Sequence, residues 1–363
     1  MKSFVPFVPF AVLLLAAAPA NNASETKNLL ELARGATVID RTGELLLQTS
    51  ALHAVDGDAG TFWMNPPGDL PQSMTIELPS RTRISRIGVQ TEANGGFTAN
   101  HVTFASSIDG RTFTPVMTIK AKDANDVQWF DVRPFEATLV RISIDDALLA
   151  GHDVRLRSVL ADGDALAPPA GGNITGCWKI NGEPAQFRLD GGHVTGILAA
   201  GKAPLHFDGG FDRLIYRLQW VRGNDYGLSL ITVSPDGQHL SGLNWHEEAI
   251  PMFFDTSWYG ERAPCGIALP GFDVPVAYAK RTGRFALYDS SQLPRLMKTF
   301  PGATFVAHEF RFADAAKNLA AARQALAALH VTGVAQGIAS PRQVPTTDIM
   351  RALYSTVDFE IRR

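Results

Sequence analysis

Three places in this chain bring reactive residue types together at spacings that chemistry uses. The first is Asp56-Gly57-Asp58-Ala59-Gly60-Thr61, two carboxylates and a hydroxyl in one tight turn. Oxygen donors packed this closely suit a hard cation such as calcium. The same Asp residues also have the spacing to accept hydrogen bonds from their own loop's amides and so cap the turn. The second place is the middle of the chain. Arg222-Gly223-Asn224-Asp225-Tyr226-Gly227 reads as a charged hairpin tip. Trp245-His246-Glu247-Glu248 has the first half of a helical zinc motif, but the position where the second His belongs holds Ile250. Asn224, Asp225, Trp245 and His246 are therefore candidates for a ligand-facing rim. The third place is the pair Cys177 and Cys265, the only cysteines in the sequence. No Ser-His-Asp order, Cys nucleophile or phosphate-cradling loop stands out, and no catalytic residue is assigned.

The start of the chain decides how the cysteines are read. Met1-Lys2 gives an early positive charge, Phe4 to Ala18 is almost wholly apolar, and Ala18-Pro19-Ala20 matches the small-x-small pattern of signal cleavage. Residues 1–20 are expected to be a signal peptide, and no lipoprotein Cys follows them. The mature chain is then exported, to the periplasm or in association with the outer membrane, where two cysteines are expected to pair. A loop of 88 positions closed in this way stabilises by roughly 4–5 kcal/mol in the chain-entropy model. After signal removal no segment is long enough to cross a bilayer as a helix. A net charge of −3 gives no reason to expect nucleic acid or an anionic membrane as partner.

The 363 residues allow two or three domains, and hydrophobic patterning divides them into three. Residues 28–167 alternate with period two, as in Ser73-Met74-Thr75-Ile76-Glu77-Leu78, Arg83 to Val89, His101 to Ser106, Leu139 to Ile144 and Val154 to Leu160. That pattern predicts an antiparallel sandwich. Ser107-Ile108-Asp109-Gly110 supplies a tight bend between two of its strands. Residues 162–173 are rich in Ala, Pro, Gly and Asp and predict a linker. Residues 174–266 predict an antiparallel meander closed into a small β-barrel, since closure removes exposed edges. Its turns are read at Asp190-Gly191-Gly192, Asp208-Gly209-Gly210 and Pro235-Asp236-Gly237. Residues 271–363 mix the types. Strands are expected at 284–288, 303–307 and 357–361, with a short helix around 292–299 and an Ala- and Leu-rich helix over 313–329.

Ala54-Val55-Asp56-Gly57-Asp58-Ala59-Gly60-Thr61-Phe62-Trp63, with the corner Ser107-Ile108-Asp109-Gly110-Arg111-Thr112-Phe113, resembles the discoidin or coagulation-factor type C family. The resemblance covers nearly all of the first segment. It implies a galactose-binding-like jelly-roll sandwich with a prior of carbohydrate recognition. It also implies calcium ligands at the His53 carbonyl, Asp56, Asp58 and Thr61, although the acid that the family adds near the last strand is absent from Arg155-Leu156-Arg157-Ser158. Sugar contacts in such modules come from a loop aromatic with polar side chains, which here implies Phe97, Asn94 and His101. The Gly176-Cys177-Trp178 start and successive hairpins of the second segment look loosely lipocalin-like. The third segment resembles the OmpA-like peptidoglycan-associated domain through Asn318 to Gln324, Gly333-Val334, Ser340-Pro341-Arg342 and Val357 to Arg362. Arg323 falls on that family's cationic anchor for the stem peptide. The family's Gly-His-Thr-Asp run reads Ala307-His308-Glu309-Phe310, so the domain is a divergent one.

These readings point to an exported, non-catalytic envelope protein that binds glycan through its β modules and carries a degenerate peptidoglycan-associating domain. The alternatives are a glycan or ester hydrolase with its site in the middle segment, and a protein-binding envelope scaffold.

Overall fold

The computed structural model describes residues 28–93, 96–199, 203–223, 225–246, 256–265, 283–287, 298–311 and 356–362. The first unit is built from β1 (Thr37–Arg41), β2 (Trp63–Asn65), β3 (Gln72–Thr91), β4 (Ala99–Ser107), β5 (Thr114–Lys120), β6 (Gln128–Ala147) and β7 (Val154–Ala165). All pairings are antiparallel, in the order β2-β7-β3-β6-β4-β5, with β1 on β3. The two alternating runs expected at 73–78 and 83–89 are one strand, β3, whose register with β6 breaks between Glu77 and Thr82. Before the break β3 takes β1 as its second partner, and after it β7. The strand thus turns a corner and serves both layers of a jelly-roll sandwich. Trp63, Ile76, Ile87, Phe104, Ile142 and Leu156 are buried in its core. The bend at Asp109-Gly110 is as expected: Asp109 accepts from the amides of Arg111 and Thr112, and Gly110 has φ 72°.

The second unit is a closed eight-stranded barrel. Its strands are β8 (Gly176–Ile180), β9 (Glu183–Asp190), β10 (His193–Leu198), β11 (Leu205–Asp212), β12 (Ile215–Arg222), β13 (Asp225–Val233), β14 (His239–His246) and β15 (Thr256–Arg262). Each pairs with the next, and β15 returns to β8. That seam has three paired positions, and the Cys177–Cys265 disulfide with Ala263 N–H donating to Cys177 O continues it. The inward side chains of Trp178, Phe187, Phe207, Tyr216, Trp220 and Trp258 form one buried cluster that fills the barrel. Phe207 meets Trp258 edge to face at 5.1 Å.

One expected turn is a strand. Asp208-Gly209-Gly210 lies inside β11, opposite Arg217 to Gln219 of β12. A Cβ on Gly209 would meet Arg217 O at 2.0 Å, so Gly209 lets two backbones approach rather than letting one reverse.

The linker does not hang free. Ala170 N–H donates to Pro79 O, Gly171 to Arg213 O and Gly172 to Val233 O, stitching it to both units. Outward residues of the barrel, Ile215, Leu228, Leu230 and Leu243, belong to the same buried cluster as the sandwich core. The third segment shows β16 (Arg284–Leu287), β17 (Thr304–Arg311) and β18 (Thr356–Arg362), antiparallel in the order β16-β18-β17, at the three expected strand positions. The helix over 313–329, Arg323, Asn94 and Asn224 lie outside the described residues. No helix among the described residues is long and apolar enough to cross a membrane.

Candidate functional site

Three loops meet at one end of the sandwich. They lead into β2, join β3 to β4, and join β6 to β7. Backbone bonds hold them: Arg155 N–H donates to Phe97 O at 2.8 Å, Glu92 N–H to Arg155 O, and Leu148 N–H to Thr98 O. The Thr98 hydroxyl ties the middle loop to Glu92 O at 3.0 Å. This framework places the Arg155 guanidinium 3.8 Å from the Phe97 ring centroid and 5.0 Å from that of Phe62. Glu92 Oε1 lies 3.5 Å from Arg155 Nη1, and Asp153 Oδ2 lies 3.4 Å from its Nε. Arg157 adds a second cation, 3.7 Å from Glu92 Oε2, and donates through Nη1 to Ala59 O. Both rings and both arginines are partly exposed.

The cluster therefore combines two flat apolar faces with fixed donors and acceptors. That is the equipment for holding a polyhydroxylated ring: a ring face for its C–H side, guanidinium and carboxylate for its hydroxyls. Both carboxylates pair with one arginine, so the cluster offers a guanidinium between two acceptors.

Phe97 is the sequence candidate that the structure puts in the cluster. His101 stands in another group, its Nδ1 2.9 Å from Asp146 Oδ1, with Asn100 also on that carboxylate. Burial pushes the Asp146 carboxyl up, and the hydrogen bonds from the His101 ring and amide and from Asn100 outweigh it, leaving it below its ordinary value. Among the described residues no side-chain hydrogen bond or ion pair links His101 to Phe97, Arg155 or Glu92. In the barrel, register places Asp225 opposite Arg222, Trp245 opposite Leu228 and His246 opposite Gly227. The backbones of the three rim candidates Asp225, Trp245 and His246 thus share one end of β13 and β14. Sequence reasoning passed over Phe62, Glu92, Asp153, Arg155 and Arg157. A signal was present: Arg155 and Arg157 stand two apart on one strand, and so on one face of it.

The turn at 56–61 is closed on itself. Asp56 is buried; its Oδ1 accepts from Asp58 N–H at 2.8 Å, and its Oδ2 accepts from the Thr61 hydroxyl at 2.7 Å and faces His53 Nδ1 at 3.0 Å. The Thr61 hydroxyl also lies 2.9 Å from Asp58 O and 3.4 Å from His53 O. Asp58 Oδ1 accepts from Gly60 N–H. Desolvation pushes the Asp56 carboxyl above its ordinary value, against the pull of His53, Asp58 and Thr61. A calcium ion takes six to eight oxygens, several of them charged. Here one buried carboxylate serves protein donors, and across from the turn β7 brings the guanidinium of Arg157 in place of an acid. The residues present do not complete a calcium shell.

The sandwich is a β-jelly-roll with three loops gathered at one end, and the F5/8 type C domain family model matches residues 39–153. Among curated proteins, the nuclear receptor 2C2-associated protein of Mus musculus is 25% identical over 113 residues, 31% of this chain and 76% of that protein. Its Bos taurus counterpart is 26% identical over 94 residues, 26% of this chain and 65% of the relative. Similar solved structures include the C-terminal domain of a chitobiase from Bacteroides fragilis, 20% identical, covering 37% of this chain and 96% of that one at a TM-score of 0.33. Another is the family 32 carbohydrate-binding module of Clostridium perfringens NanJ in complex with galactose, 20% identical, covering 35% and 98% at a TM-score of 0.30.

Proposed function

We propose that this chain is an exported, non-catalytic glycan-binding protein of the cell envelope, with its sugar site at the loop end of the sandwich. The observation that carries the reading is the stack of Phe97, Arg155 and Phe62, flanked by Glu92 and Asp153. The match of residues 39–153 to a family of binding domains supports it, and the paired cysteines agree with export. The test is a binding panel of neutral mono- and disaccharides against the mature chain and Phe97→Ala. Loss of a stacking ring is expected to weaken the best binder by about tenfold, an effect of ~1.4 kcal/mol, with little change in melting temperature. Absence of binding to every sugar, or equal binding by the variant, would sink the reading.

In this reading the 56–61 turn needs no metal. Added calcium leaves the melting temperature where it is, whereas a rise with calcium concentration would put an ion in the turn. The middle barrel, lipocalin-like in its meander, serves as a support. The segment 271–363 is a divergent OmpA-like domain whose contact with peptidoglycan, through Arg323, is weak or lost. Retention on sacculi that Arg323→Ala abolishes would show instead a working anchor.

A further inference from the structure

A cleft of about 300 Å³, sharing no residue with the loop-end cluster, lies where β1 meets the barrel wall. Its size is at the low end for small-molecule sites, and junctions between folded units are where such sites concentrate. Strand register builds one wall. His239 pairs with Glu261 and Glu261 with Lys179, so the three stand in a row across β14, β15 and β8. Opposite residues of neighbouring strands project from the same face. Among the described residues none of these three side chains is engaged in an ion pair.

Arg41 of β1 closes the other side. Its guanidinium lies 3.3 Å over the Tyr259 ring, and Glu44 Oε1 accepts from its Nε at 2.8 Å. The Tyr259 hydroxyl donates to that same oxygen at 2.5 Å. The guanidinium is thus oriented by ring and carboxylate together. Its two terminal nitrogens carry no hydrogen bond among the described residues. A fixed fork with free ends is the arrangement that takes a carboxylate in two parallel bonds. Lys179 adds a second cationic group, and Glu261 and His239 add an acceptor and a donor suited to hydroxyls.

We propose that this cleft binds one acidic sugar residue, a hexuronate, with its carboxylate on Arg41 and Lys179 and its ring hydroxyls on Glu261 and His239. The proposal stands apart from the loop-end site and does not rest on it. The test is calorimetric titration of the mature chain carrying Phe97→Ala, which removes the loop-end ring, with glucuronate, galacturonate, glucose, galactose and acetate. A hexuronate is expected to bind, with the matching neutral sugar and acetate at least tenfold weaker. Lys179 and Glu261 are exposed, so Lys179→Met and Glu261→Gln keep the fold. Each should weaken hexuronate binding at least fivefold in that background. The proposal is overturned if neither hexuronate binds, if acetate or the neutral sugars bind as well as the hexuronates, or if the two cleft variants bind normally.

Discussion

Glu77 shows what a single side chain does at the contact between sandwich and barrel. It lies on β3, and burial, with the Asp236 carboxylate of the barrel adding repulsion, pushes its carboxyl up from 4.5 to about 7. A raised carboxyl binds a proton in the folded state that the unfolded chain has already released. Its contribution therefore favours folding below pH 4.5 and is lost as pH rises toward 7. Glu77→Gln should raise the melting temperature at pH 8 and leave it nearly unchanged at pH 4. Thermal melts at the two pH values check this, and an equal shift at both would refute it. The sequence showed Glu77 only as a polar position of an alternating strand. Its environment comes from a turn nearly 160 positions later, which no local pattern carries. Phe97 was legible because an aromatic in a Gly-rich loop is conspicuous. Glu92 and Asp153 were not, because a charged residue near a strand end looks like any solvated one.

Among the elements, one residue ties the linker to the barrel seam. Arg262, at the end of β15, donates through Nε to Gly237 O at 2.9 Å, through Nη1 to Thr175 O and through Nη2 to Asn173 O, both at 2.7 Å. Its guanidinium also lies 3.9 Å over the Trp178 ring. It thus joins the last barrel strand, the turn after β13 and the end of the linker. Arg262→Lys keeps the charge but loses the planar fork. Each charge-assisted bond is worth about 1.5–3 kcal/mol when buried, and less at this partial exposure. The change is expected to cost about 2 kcal/mol in urea unfolding, and a cost below ~0.5 kcal/mol would show that the clamp is ornamental. At this scale most strands were readable from alternation. The exceptions have physical causes. Gly209 and Gly210 looked like a turn because strands seldom hold two adjacent glycines, yet at Gly209 the barrel needs the close backbone approach that a missing Cβ allows. The corner in β3 looked like a break because Pro79 and Ser80 interrupt the alternation while the chain runs on.

For the whole molecule, composition predicted separate units and packing joined two of them. β13 is apolar on both faces: Leu228 and Leu230 turn outward to the sandwich core, while Ile231 and Val233 turn into the barrel. Val38 N–H donates to the Ser241 hydroxyl, and Ser50 and Ser257 bond through their hydroxyls at 2.5 Å. The barrel thus braces the sandwich along β1, at a distance in sequence from the loops of the proposed site. We propose that Phe97 and Arg155 act as one recognition unit on that braced frame. A double-mutant cycle measures it: titrate the best-binding neutral sugar against the mature chain, Phe97→Ala, Arg155→Lys and the double variant. Each single change should cost about tenfold in affinity, and the double change little more than either alone, a coupling of ~1 kcal/mol. Losses that simply multiply, or single variants that bind as the parent does, would contradict it.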